Sequence, residues 1–424
     1  MKILMVLSGG KMSTNIQITI NQHYVPRFYM KFFSNIKNEG TKKEKVLISF
    51  YQFKDNLLRD NIPTESICSE DYFYDEDGKI ENKLAEKERK WASVFYKINQ
   101  GEELISSEYD DIREFAIYQI SRTKGMLEHN QAMVTKILTD VLHNQNRSLD
   151  KTIIKEAVEK KVEKEISAEY NLSLIKEILP VIDDLVVEIL ENKTDSNFIT
   201  SDVPVIIVNP LGVRRAGLGD IGTVVFFPIS PRKMAILYDN KLYGTLKKEI
   251  NDPEYINVFN RYQYISADER ILALSSKEFN QFIENKELGD FREIFHESAK
   301  TKTNYEGIGT FLASKSRSIE YFFDIPILKL PKSLRKIPKE FRETFPRNYN
   351  SQTRLAILCR IYREDNFIED EERKAYWRQS QKYAKILLDY LDYYWKTPKE
   401  DCIINGELMK KLKNVPVNFF PLGE

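Results

Sequence analysis

A change of hydrophobic period partway along the chain is the feature that most limits its fold. Leu84, Trp91, Val94, Phe95 and Ile98 recur at helical spacing in residues 82–99, and a second helical run follows over 106–143. That spacing lines one face of a helix with 3.6 residues per turn. Residues 198–208 and 223–237 are instead rich in Ile, Val and Phe, broken by Pro and Gly, and joined by a Gly-rich stretch at 211–222. Both read as paired strands. Helical and strand blocks segregated in this way predict an α+β fold, rich in helix, with a small, mainly antiparallel sheet.

Other elements follow from the same reading. Strands are expected at 15–20 and 46–53. Pro26 suits a first helical position, so 25–34 reads as a short helix entered straight from a strand, with His23 at the junction. Ile154, Val158, Val162, Ile166 and Tyr170 form one narrow stripe, the pattern of an exposed helix over 151–170. Residues 172–190 are apolar on all sides and read as a buried helix kinked at Pro180. Helix returns at 253–267. Beyond a boundary near 276 come another helix, a strand-like 319–330, a Pro- and Lys-rich connector at 331–346, and helices near 352–362 and 370–395. The last aligns Tyr376, Tyr383, Leu387, Tyr390 and Tyr394 on one face, a surface suited to homo-oligomer assembly. The organisation expected is a leader or alternative start at 1–11, an α+β unit at 12–276 with a helical insertion near 146–193, and a mostly helical region at 277–424.

Charge and motif content narrow the function. Lys plus Arg and Asp plus Glu both number 64, so no global field draws the molecule to nucleic acid or an anionic membrane. The basic run from Lys329 to Arg347 is punctuated by Pro331, Pro338 and Pro346 and reads as a solvated connector that could also meet phosphates. Cys68, Cys359 and Cys402 are far apart, as free thiols in a reducing compartment would be. No stretch approaches the roughly 18–20 apolar residues of a membrane span, and the apolar run at the N-terminus is too short for a secretory signal. A cytoplasmic protein with no membrane partner is expected. Phosphate-loop, nucleophile-elbow, zincin and paired-cysteine signatures are lacking, so neither cofactor nor metal is expected. Residues 71–78 miss the spacing of a calcium loop, and Asp77-Gly78 reads as a hairpin turn.

Four places carry candidate chemistry. Ile112, Phe115, Gln119, Arg122 and Met126 are spaced 3, 4, 3 and 4, so an amide and a guanidinium interrupt a core stripe. An unpaired charge there costs several kcal/mol. Arg122 therefore requires an internal acid, or else it grips an anion together with Gln119. In Thr200-Ser201-Asp202-Val203-Pro204 the proline fixes an extended exit, and Asp202 either closes a turn or orients a His or an Arg. His23 is one of only four histidines and stands near Arg27, which makes it a candidate acid or base.

These residues also carry a resemblance. His23-Tyr-Val-Pro-Arg-Phe-Tyr, the segment from Ile67 to Asp75, Gln119-Ile-Ser-Arg122-Thr, Thr200-Ser-Asp-Val-Pro, Phe227-Pro-Ile-Ser-Pro231, and Asn260 with Ala267 together resemble domain-of-unknown-function family 4238 over roughly residues 22–275. The resemblance groups these positions and implies a bacterial protein of unassigned role, associated with phage defence. Two functions are open at this point. One is a metal-independent enzyme acting on a phosphate-containing substrate such as nucleic acid or nucleotide, with His23 and Asp202 catalytic and Arg27, Gln119, Arg122 and Ser201 binding substrate. The other is a noncatalytic module that binds an anion or a partner.

Overall fold

The computed structural model of the protein describes residues 19–145, 149–212, 217–298 and 323–331, together with Arg347. Strand β1 (Asn21–His23) leads into helix α1 (Arg27–Lys31) through Pro26. Strands β2 (Asn35–Lys37), β3 (Lys45–Gln52), β4 (Leu57–Pro63) and β5 (Ser69–Asp71) follow, then helices α2 (Lys79–Gln100), α3 (Ser106–Ser121), α4 (Lys124–Gln145), α5 (Lys151–Glu165), α6 (Ala168–Ser173) and α7 (Ile175–Ile178). The strand-rich part comprises β6 (Val186–Asn192), β7 (Thr200–Ser201), β8 (Ile206–Val208), β9 (Val224–Ser230) and β10 (Lys233–Tyr238). Helix α8 (Asn240–Tyr243), strand β11 (Glu249–Ile250), helix α9 (Pro253–Ser266), strand β12 (Arg270–Ala273), and helices α10 (Asn280–Ile283) and α11 (Lys286–Ser298) complete it.

The fold is α+β, as the segregated pattern predicts. Among the described residues three sheets form: β1 with β5; β11-β6-β10-β9-β8; and β2-β3-β12-β7 with β4 also on β3. Every pairing is antiparallel except β11 on β6. An aromatic core joins helices to sheets: the Phe95 and Phe115 rings lie 4.8 Å apart and Phe115 lies 5.2 Å from Phe227. The Tyr29 hydroxyl, fully buried, donates to Pro228 O (2.6 Å) and meets Thr200 Oγ1 (2.8 Å), so α1 is pinned to both five-membered arrangements.

Several expectations need correction. Residues 172–190 do not form one buried helix. Helix α7 gives way to a 3-10 turn at Leu179–Ile182 carrying Pro180, and the β-branched run that follows is strand β6. A short apolar run does not by itself distinguish helix from strand; the missing N–H of Pro180 and the branching of Val186, Val187 and Ile189 decide it. The helix expected over 106–143 breaks at Arg122, where the Thr123 hydroxyl takes the Met126 N–H (3.3 Å) and starts α4. Residues 198–208 split between two sheets, because Pro204 cannot donate to a ladder. The run at 223–237 is a hairpin of β9 and β10. Gly78, at φ +72°, opens helix α2 rather than turning a hairpin. Residues 323–330 form no strand.

The stripe on α5 is half right. Ile154, Val158 and Val162 bury against Val134 and Ile166 in a cluster separate from the main core, while Ser167 ends the run by capping α6 and Tyr170 is exposed. Arg347, expected in a solvated connector, is buried. The expected leader, most of the strand at 15–20 and the helices at 352–362 and 370–395 lie outside the described residues.

Candidate functional site at an acidic mouth beside Asp202

The sequence motifs meet first in a clasp around β1. Gln22 Oε1 accepts the Tyr74 N–H (2.6 Å) and the Asp75 N–H (3.2 Å), while its Nε2 donates to Asp75 O (2.7 Å). Arg122 donates from Nη2 to His23 O (2.7 Å), from Nε to the Tyr74 hydroxyl (2.8 Å) and from Nη1 to Glu88 Oε1 (2.7 Å). The Tyr74 hydroxyl in turn donates to His23 O (3.1 Å). Gln119 Nε2 donates to Tyr24 O (2.9 Å). Gln119 and Arg122, both nearly inaccessible, therefore hold consecutive backbone carbonyls of the His-Tyr-Val-Pro segment. An internal acid satisfies Arg122, and it is Glu88 rather than Asp202.

The His23 imidazole points elsewhere, with Nε2 3.3 Å from Thr64 O. Burial lowers its pKa to about 4, and the Arg27 and Arg122 charges push the same way against the Thr64 carbonyl, so the ring is neutral near pH 7. Arg27 lies half-exposed and pairs with Glu65 at 2.5 Å. Ser201 donates to Gln263 Oε1 (2.8 Å) and accepts the Val203 N–H (3.2 Å). Asp202 takes three successive backbone N–H groups, from Asp268 (2.9 Å), Glu269 (2.5 Å) and Arg270 (3.2 Å). The six candidates thus divide. His23, Gln119 and Arg122 share the clasp, Ser201 and Asp202 brace the exit of β7 against α9 and β12, and Arg27 stands on the surface.

The accessible polar region lies between these groups. A small depression, about 220 Å³ with open solvent included, is lined by Tyr24, Lys124, Gly125, Glu128, Asp202, Asp268 and Glu269. A larger one of about 520 Å³, measured the same way, runs from Gln119 and Thr123 past Val203, Ile206 and Phe295. Asp268 lines both. Burial and the neighbouring Asp268 carboxylate raise Asp202 to about 7, against the three N–H donors that favour its charge. Lys124 pairs with Glu70 (2.5 Å) and Glu269 (3.1 Å), which hold its ammonium protonated despite partial burial. Arg270 Nη2 meets Glu269 at 3.1 Å, and its Nε is buried with no partner among the described residues. Burial also raises the Cys68 thiol and the Tyr24 hydroxyl.

Sequence reasoning passed over Tyr24, Lys124, Asp268 and Glu269. The signal was position: Tyr24 is inside the first motif, Lys124 directly follows Gln-x-x-Arg-Thr, and Asp268 and Glu269 directly follow Ala267. Among the described residues no group of three His, Cys, Asp or Glu side chains could hold a metal ion, and no helix is long and apolar enough to cross a membrane.

The fold and this arrangement define an α+β protein whose shared motifs converge on a buried polar clasp and an acidic mouth. A family model described as "Protein of unknown function (DUF4238)" matches residues 21–277, and the chain belongs to that family. No curated protein and no solved structure matches the chain.

Proposed function

We propose that the protein is a binding module whose site is the acidic mouth beside Asp202, and that it recognises a positively charged group on a ligand or partner. One observation carries this reading. The smaller depression is lined by four carboxyl side chains, Glu128, Asp202, Asp268 and Glu269, beside the ammonium of Lys124, which is itself paired with Glu70 and Glu269. Carboxylates gathered at a concave surface focus a negative potential that attracts cations and repels phosphates. The phosphate-directed enzyme has less support, since Gln119 and Arg122 are spent on backbone carbonyls and Arg27 on Glu65.

The test is binding of a labelled oligolysine peptide against an oligonucleotide of equal length. Peptide binding that weakens with salt and in Asp268→Asn supports the module. Oligonucleotide binding without peptide binding would overturn it, and oligonucleotide binding that tightens in Asp268→Asn would assign the mouth to phosphate. A second reading, acid–base catalysis, draws support from Asp202 and Asp268 lining the same depression, where burial and the second carboxylate raise the Asp202 pKa. It predicts a turnover that Asp202→Asn abolishes while the fold persists. A place in phage defence is read out by plating efficiency with and without the wild-type chain, with Asp268→Asn as the site control.

A further inference from the structure

Arg347 lies beyond the family region, yet its side chain is among the most deeply buried in the molecule. Its guanidinium meets the Asp184 carboxylate with two prongs, Nε to Oδ2 at 2.8 Å and Nη2 to Oδ1 at 3.2 Å. Nη2 also donates to Val181 O (2.9 Å), and Nη1 donates to Leu218 O (3.2 Å) and Asp220 O (2.8 Å). A guanidinium has five N–H groups, and each has an acceptor here. The Arg347 backbone N–H adds a bond to Gly219 O at 2.6 Å.

The acceptors come from two places in the family region: the 3-10 turn at Leu179–Ile182 with the link from it to β6, and the Gly-rich turn before β9. These five acceptor contacts, one for each N–H, match the fork of a guanidinium; an ammonium, with three donors around one atom, would leave part of the set unmet. We propose that Asp184 and the carbonyls of Val181, Leu218 and Asp220 form a guanidinium-binding socket, and that Arg347 is its intramolecular ligand, tethering the C-terminal region to the family unit. This socket is separate from the acidic mouth, and neither proposal depends on the other.

Hydrogen–deuterium exchange on the full chain tests it. Arg347→Ala should speed exchange in residues 217–223 and 181–185 by roughly tenfold or more, the scale of lost hydrogen bonds to a charged group. Strands β9 and β10 should keep their protection. Millimolar ethylguanidinium, but not ethylammonium, should restore the two loops in Arg347→Ala, and Arg347→Lys should behave like Arg347→Ala. Asp184→Asn should reproduce the loosening and abolish the rescue. Unchanged exchange in Arg347→Ala, equal rescue by both cations, or equal loss of protection throughout the chain would each overturn the socket.

Discussion

At the residue scale the most consequential side chain is Arg122. Its helical phase showed that a charge had been placed where apolar residues belong, and the structure supplies Glu88, Tyr74 and the His23 carbonyl as its partners. That burial was legible, but the identity of the acid was not, because Glu88 sits 34 positions away on a helix rich in exposed charges. Arg122→Ala leaves the Glu88 carboxylate without its buried counter-charge and removes one of the two donors to the His23 carbonyl, so we expect a loss of about 3–5 kcal/mol in urea unfolding. Arg122→Lys should recover only part of it, since the donors of an ammonium radiate from one atom whereas Tyr74, Glu88 and His23 are met by three separate nitrogens. His23 makes a different prediction. Its folded pKa of about 4 lies below the ordinary 6.5, so the unfolded chain takes up a proton first as pH falls. The stabilisation is complete above about 6.5 and is lost as pH falls through 4. Denaturation midpoints of His23→Gln and the parent should therefore change less relative to one another above pH 7 than between pH 6.5 and 4, where the parent loses stability faster.

At the element scale the long periodic helices were legible because their stripes extend over several turns. The failures cluster where a short apolar run met a proline or a capping hydroxyl: Pro180 before β6, Pro204 between β7 and β8, and Thr123 between α3 and α4. Such features decide an element's end through one missing or one extra hydrogen bond, which leaves no mark on hydrophobic period. Helices α4 and α5 form a hairpin whose Ile154, Val158 and Val162 cluster is separate from the main core. Val158→Asp should accordingly raise hydrogen exchange in α5 and in the part of α4 it packs against, with the thermal midpoint of the rest of the molecule shifted by no more than a few degrees. A collapse of protection in β9 and β10 as well would show that the hairpin is continuous with the core.

At the scale of the whole molecule, chemistry and packing extend past the family region. Phe279, Phe282, Leu288, Ile325 and Leu328 belong to the main core, and the Tyr262 hydroxyl both donates to Phe323 O (2.8 Å) and accepts its N–H (3.0 Å). A chain ended at residue 277 would bare these partners, so we expect it to be insoluble or to melt well below the full chain, as differential scanning fluorimetry would record. The gathering of distant motifs at one mouth was the least legible property. Tyr24, Lys124, Asp202 and Asp268 come from four separate parts of the sequence, and only sheet pairing and the break at Arg122 bring them together.

The clasp around β1 also has a consequence for synthesis. The Tyr24 carbonyl waits for a donor that lies 95 residues later, and the Tyr29 hydroxyl donates to an acceptor 199 residues later. A ribosome adding roughly 5–20 residues per second leaves the Tyr24 carbonyl without that donor for on the order of 5–20 seconds. The Tyr24–Tyr29 stretch is thus made well before the groups that finally secure it, and on a nascent chain it is a stretch that a chaperone or a protease meets bare.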